Sequence, residues 1–129
     1  MIQASAYSGL RLGNRAYDNE LYEQAIEYYD KALSIDPEDA EAWSSKGVAL
    51  LYDLGRYEDA VKCFDKALSI NPEYAHAWNN KGIALEGLDK FQEANKCYDN
   101  AVKCSDKVLS INPECVDAWY SKKAMHLKT

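Results

Sequence analysis

Residues 43–72 read WSSKGVALLYDLGRYEDAVKCFDKALSINP, and residues 78–101 read WNNKGIALEGLDKFQEANKCYDNA. Trp43, Gly47, Ala60 and Cys63 recur as Trp78, Gly82, Ala94 and Cys97, 34 or 35 positions later. A repeat of this period is one supersecondary unit that cannot bury its apolar face alone, so its copies stack into an array. The punctuation between copies recurs as well. Pro37, Pro72 and Pro113 each follow Ser-Ile-Asp or Ser-Ile-Asn, and Trp43, Trp78 and Trp119 each fall six residues after a proline. Asp or Asn before Pro suits a helix start, with Pro at the first helical position and Glu38, Glu73 or Glu114 near the positive end of the dipole.

Within a copy the apolar period is helical. Trp43, Gly47 and Leu50 share one face, as do Trp78, Gly82 and Leu85. Glycine costs about 1 kcal/mol of helix propensity against alanine, so Gly13, Gly47 and Gly82 need a packing reason. Close approach of a second helix supplies one. That helix brings Ala25, Tyr29 and Ala32 in the first copy, Ala60, Phe64 and Ala67 in the second, and Ala94, Tyr98 and Ala101 in the third. In each, an aromatic ring fills the space left by small neighbours.

These residues resemble the tetratricopeptide repeat, a helix-turn-helix unit of 34 residues. Its W-x2-L-G pattern is matched at Trp43 to Gly47 and Trp78 to Gly82, with Lys46 and Lys81 in place of Leu, and its later positions at Ala60, Phe64, Ala67 and Pro72. The resemblance implies an all-α fold, a right-handed superhelical α–α solenoid of about seven helices in a single domain of residues 1–129. Repeats are expected at about 6–37, 38–72 and 73–113, with a capping helix at about 114–127. Helices are expected near 6–18, 22–34, 38–53, 56–69, 73–87, 90–111 and 114–127, after a frayed lead-in. Lys123 stands where the recurring glycine would fall, as befits a last helix that meets water.

Two irregularities interrupt the period. Gly47 to Gly55 is eight steps against seven from Gly82 to Asp89, so one residue is extra near Leu51 to Asp53. A π-bulge or a longer turn would absorb it, the longer turn being expected, and either brings Tyr52 or Asp53 toward the inner face. Pro72 to Pro113 spans 41 residues, so seven are added within Asn100 to Asp106. Seven residues advance a helix by about 10.5 Å and turn its face by only about 20°, so the sixth helix should simply be long. The last helix then either folds back along the sixth, which a short turn at Asn112-Pro113 favours, or docks on another molecule. A monomer is expected, with a dimer through the C-terminal helix as the alternative.

Composition narrows the function. Fifteen Lys and Arg against 21 Asp and Glu give a net charge of −6, which works against nucleic acid as a partner. No apolar run is long enough to span a membrane, and the opening residues lack the apolar core of a secretion signal, so the expected location is cytoplasmic. Cys63, Cys97, Cys104 and Cys115 show no metal-ligand spacing and are expected to be free thiols. A thiol–imidazole pair drawn from Cys97 or Cys104 with His76 or His126 has nothing to orient it. There is no Walker loop, no GxGxxG and no HExxH, so neither an enzyme nor a cofactor is expected.

In the family the chain resembles, the first helix of each repeat lines a concave groove that holds a peptide or partner helix. The resemblance places Tyr7, Arg11, Asn14, Tyr17, Ser44, Ser45, Val48, Tyr52, His76, Asn79, Asn80, Ile83, Tyr120 and Ser121 along it. Such a lining is uncharged, hydrogen-bonding and aromatic-edged. Some family members hold a chaperone's C-terminal carboxylate in a clamp of Lys, Arg and Asn. Here only Asn14 matches, because Leu10, Ser45, His76 and Asn80 stand where Lys, Asn, Lys and Arg would be needed. The expected function is a non-enzymatic scaffold for a protein or peptide partner. The alternative is a structural, self-assembling array that uses its ends and its extended sixth helix.

Overall fold

A computed structural model describes residues 2–53 and 55–111. The described chain forms α1 (Ile2–Asp18), α2 (Tyr22–Ile35), α3 (Ala40–Tyr52), α4 (Tyr57–Ile70), α5 (Ala75–Gly87) and α6 (Phe91–Ile111). The expected helix at 114–127, with Trp119, Tyr120, Ser121 and Cys115, lies outside these residues. Helix α1 begins at Ile2, so the expected frayed lead-in is already helical.

Each helix packs on its neighbours in the chain. In addition α1 touches α3 and α3 touches α5, whereas α2 and α4, or α4 and α6, do not meet. The first helices of the repeats therefore crowd together on one side and the second helices spread apart on the other. That asymmetry curves the array and makes α1, α3 and α5 its inner wall.

Glycine decides how closely the two helices of a repeat approach. A Cβ built on Gly47 would lie 2.6 Å from Cε1 of Phe64. On Gly13 it would lie 2.4 Å from Tyr29, and on Gly82 2.5 Å from Tyr98. Each ring packs against a glycine, flanked by buried alanines: Ala60 and Ala67 beside Phe64, Ala25 and Ala32 beside Tyr29. Neighbouring first helices are held apart by alanine. Ala42 and Ala49 are buried against the first repeat, and Ala77 and Ala84 against the second. The same two positions of α1 are Ser8 and Arg15, both exposed.

The proline punctuation works differently from expectation. Helices α3 and α5 begin at Ala40 and Ala75, three residues beyond Pro37 and Pro72. Asp36 and Asn71 accept hydrogen bonds at Oδ1 from the N–H groups of Glu38 and Glu73, 3.2 Å each, so they close turns before the helix instead of capping it. The cap of α3 is Asp39, whose side chain accepts from the Ala42 N–H at 3.2 Å. The proline carbonyls have their own use. Trp43 Nε1 donates to the Pro37 oxygen and Trp78 Nε1 to the Pro72 oxygen, both at 2.8 Å, so each tryptophan pins its turn to its helix.

The extra residue near Tyr52 sits in the turn, as expected, and α3 ends as an ordinary α-helix. Glu20 and Asp89 adopt left-handed backbone, φ 62° and 61°, and Gly55 takes the same role at 65°. Behind them the Leu21 N–H donates to the Ala16 carbonyl, Lys90 to Leu85 and Arg56 to Leu50. The last of these closes a loop one residue longer, so the insertion is bulged out while the closing bond is kept.

The seven added residues keep helix α6 regular over 21 residues, against 14 in α2 and α4. Ala94, Tyr98, Ala101 and Ser105 continue one buried stripe. The extension runs beside the Pro72 turn, where Lys107 pairs with Glu73 and the Cys104 thiol lies 4.0 Å from the Pro72 carbonyl.

Adding a methyl group at the Gly47 contact forces the ring of Phe64 to shift, and such overpacking costs about 1–3 kcal/mol. Gly47→Ala is expected to lower the urea unfolding midpoint accordingly. Trimming the ring with Phe64→Leu in the Gly47→Ala background should recover part of that loss, where independent effects would add.

Candidate functional site: the inner face of the first helices

The register of α1, α3 and α5 arranges the inner wall in rows. Tyr7, Glu41 and His76 form the first row, Arg11, Ser45 and Asn80 the second, and Asn14, Val48 and Ile83 the third; Asp18, Tyr52 and Gly87 close the wall at the turns. Tyr7 and Tyr52 are 63% and 55% exposed, an unusual degree for large aromatic residues in a packed helical array. Arg11 lies over the Tyr7 ring, 5.9 Å from its centroid. Tyr17 is half-buried, its ring 5.5 Å from that of Tyr22 across the α1–α2 turn. His76 is exposed and edge-on to Tyr74, with ring centroids 6.4 Å apart.

The floor of the wall comes from the outer helices. Tyr29 reaches over Gly13 and its hydroxyl donates to Asn14 Oδ1 at 2.7 Å, with the Ser45 hydroxyl beside it. Burial, reinforced by the nearby carboxylate of Asp18, pushes the Tyr29 phenol up to about 12. In the second repeat the ring is Phe64, without a hydroxyl, and the residues above it are Val48 and Ile83, both packed on the core. In the third the Tyr98 hydroxyl meets Glu86, and burial together with that carboxylate raises its pKa. Polar, apolar and polar floor therefore alternate along the array.

Two of the residues expected along the groove do not line an open face. Ser44 is only 4% exposed, its hydroxyl engaged with Tyr74 of the next repeat. It is a packing residue, because a side chain at that register lies under the following first helix. Asn79 is half-buried with Oδ1 enclosed, and its neighbour Asn80 is half-buried as well. Tyr120 and Ser121 lie outside the described residues.

The lining is also not uncharged. Glu41 is exposed in the row of Tyr7 and His76, and its charge acts on both Tyr29 and Tyr74. Asp18 acts on Tyr17 and Tyr29 in the same way. The signal was present in the sequence: Glu41 precedes Trp43 by two residues as His76 precedes Trp78.

The lysines at the Leu position of the family pattern point elsewhere. Lys46 Nζ is 2.6 Å from Asp30 and Lys81 Nζ is 2.5 Å from Asp65, each on the second helix of the preceding repeat. Each ammonium also lies 5.6–5.7 Å from the centroid of its own tryptophan, Trp43 or Trp78. With Arg56, Asp59, Lys62 and Cys63, the Lys46 junction borders an outer pocket of about 380 Å³. The Cys63 thiol is buried there, and burial pushes its pKa up to about 11. Among the described residues, no group of three or more His, Cys, Asp or Glu side chains is gathered as metal ligands would be, and no helix is long and apolar enough to cross a membrane.

A family model for the TPR repeat matches residues 13–51 and 50–89, more than half of the chain. The chain therefore belongs to the tetratricopeptide repeat family, and its all-α solenoid is that family's fold. No curated protein matches its sequence. Solved structures do. The TPR2B domain of yeast Sti1, in a complex with pHsp70, superposes with a TM-score of 0.80 at 18% identity over 98% of this chain and 99% of that one. The second TPR of Spaghetti (RPAP3), bound to the HSP90 peptide SRMEEVD, gives 0.76 at 26% identity over 79% and 94%. The Arabidopsis OM64 TPR domain gives 0.71 at 20% identity over the full length of both chains.

Tyr29 and Cys63 are buried in their neutral forms, and both pKa values are raised by folding. Their contribution to stability is thus complete below about pH 9 and is lost as pH rises, through about 11 for Cys63 and about 12 for Tyr29. Urea midpoints measured from pH 8 to 12 should fall across that window. Cys63→Ala should start lower but fall less steeply between pH 9 and 11, since its thiol no longer gains by ionising on unfolding.

Proposed function

We propose that this protein is a non-enzymatic, cytoplasmic interaction module that holds an extended protein segment along the inner face of α1, α3 and α5. The observation that carries this is the wall itself: exposed Tyr7 and Tyr52 flank hydrogen-bonding side chains at Asn14, Ser45 and Asn80, on the inner side of the helical array. Tyrosine offers contact area with a polar tip at small entropic cost, and amide and hydroxyl groups pair with a peptide backbone. The relatives solved with chaperone-derived partners support peptide capture by this fold.

A chaperone-type acidic tail is not the ligand this wall suits. Leu10, at one of the clamp positions, is buried in the core, and Ser45, His76 and Asn80 supply no permanent cation where the others would be. Asn14, the one matching residue, already accepts the Tyr29 proton. A carboxylate would find the single guanidinium of Arg11 in place of the clamp's several charge-assisted donors.

The test is capture by the immobilised chain, with bound proteins identified by mass spectrometry. Tyr52→Glu combined with Asn80→Arg should eliminate the specific set while leaving the far-ultraviolet circular dichroism unchanged. Capture that persists in this variant would transfer the function from the groove to the ends of the array and α6.

A further inference from the structure

The charges of the first helices are sorted by side. Helices α1, α3 and α5 contain two lysines, Lys46 and Lys81, and both are turned to the outer junctions by Asp30 and Asp65 and by their tryptophans. Arg15 shares its register with Ala49 and Ala84, which are buried against the preceding repeat, so it lies on the side of α1 turned away from α3. Among the described residues this leaves Arg11 as the cation of the inner wall, against the exposed carboxylates of Glu41 and Asp18. Glu41 sits centrally, on the middle of the three first helices and in the row of Tyr7.

Carboxylates and exposed aromatic faces together form a setting for cations. An ammonium or guanidinium can lie on a tyrosine ring while its charge is met by an acid, and each contribution is modest at an exposed site. The wall already shows the ring contact, with Arg11 stacked on Tyr7 at 5.9 Å. Between the acidic ends the floor is apolar, at Val48 and Ile83 above Phe64.

We infer that the groove takes an extended segment bearing arginine or lysine on either side of an apolar residue, recognised by Glu41 and Asp18 with the rings of Tyr7 and Tyr52. This rests on the groove reading above and makes its ligand the opposite in charge of an acidic chaperone tail. The spacing follows from the scaffold. Adjacent packed helices are about 8–10 Å apart, and three extended residues span about 10 Å. Glu41 lies two helical turns, about 10.5 Å, from Val48 along α3, and Asp18 lies on the neighbouring α1, so a basic side chain three residues to either side of the apolar centre meets one carboxylate each.

Three fluorescein-labelled nonapeptides test this, capped at both ends, identical except for Arg, Gln or Glu at the two flanking positions, by fluorescence anisotropy with the full chain. The Arg peptide should bind at least about tenfold more tightly than the Glu peptide, with Gln between, and raising salt from about 0.05 to about 0.5 M should shrink the difference. Glu41→Gln should weaken the Arg peptide about two- to fivefold, the range of an exposed ion pair, and Glu41→Lys more. Tyr52→Ala should weaken all three peptides. Equal binding of the three, or preference for Glu, overturns the cationic ligand; if that binding is still lost in the Tyr52→Glu, Asn80→Arg variant, the groove itself stands. Failure of all three to bind overturns both.

Discussion

A ring lying on a glycine sets the distance between the two helices of each repeat, and the rest of the array follows from it. With Phe64 against Gly47, the helix pair is close enough for alanines to seal the sides, and no larger side chain fits between. The same contact carries Tyr29 and Tyr98 through their helix pair until the buried hydroxyls reach Asn14 and Glu86 on the far side. Core packing and inner-wall chemistry are therefore one set of residues seen from two sides. A ring with a hydroxyl makes a polar floor, and a ring without one makes an apolar floor.

Much of this was legible in the sequence because each cue has a single physical cause. A glycine recurring in mid-helix is unfavourable on its own, so Gly13, Gly47 and Gly82 announced a close partner, and the aromatic half a repeat later identified it. The extra residue before Gly55 was countable, and a turn absorbs it more cheaply than a helix. The helix starts at Pro37 and Pro72 were misplaced because Asp and Asn before Pro serve two motifs equally well in sequence. Their carboxyl and amide oxygens closed a tight turn at Glu38 and Glu73, and the helix waited three residues for Asp39 or Tyr74.

The inner wall was less legible than the core. Membership of a helix face follows from spacing, but availability on that face depends on the neighbouring repeat. Ser44 and Ser45 are adjacent and alike, yet one lies beneath Tyr74 and the other beside the Tyr29 hydroxyl. Lys46 and Lys81 departed from the family pattern in a way that sequence could register without explaining. Their partners, Asp30 and Asp65, are sixteen residues upstream on another helix, and the pairing emerges only when repeats stack.

The contact pattern among the helices bears on how the chain holds together over time. Every packed pair joins helices that are consecutive or one apart, and nothing ties α1 to α4, α5 or α6 among the described residues. Such low contact order permits fast, local assembly, and it also denies the molecule a single all-encompassing unfolding unit. Amide protons of α3 and α4, flanked on both sides, would be slow to exchange. Rigidity along the wall is thus concentrated around Glu41 and Val48, on α3. A segment laid in the groove would bridge units that otherwise open separately, and so lend the array a cooperativity that its own backbone does not provide.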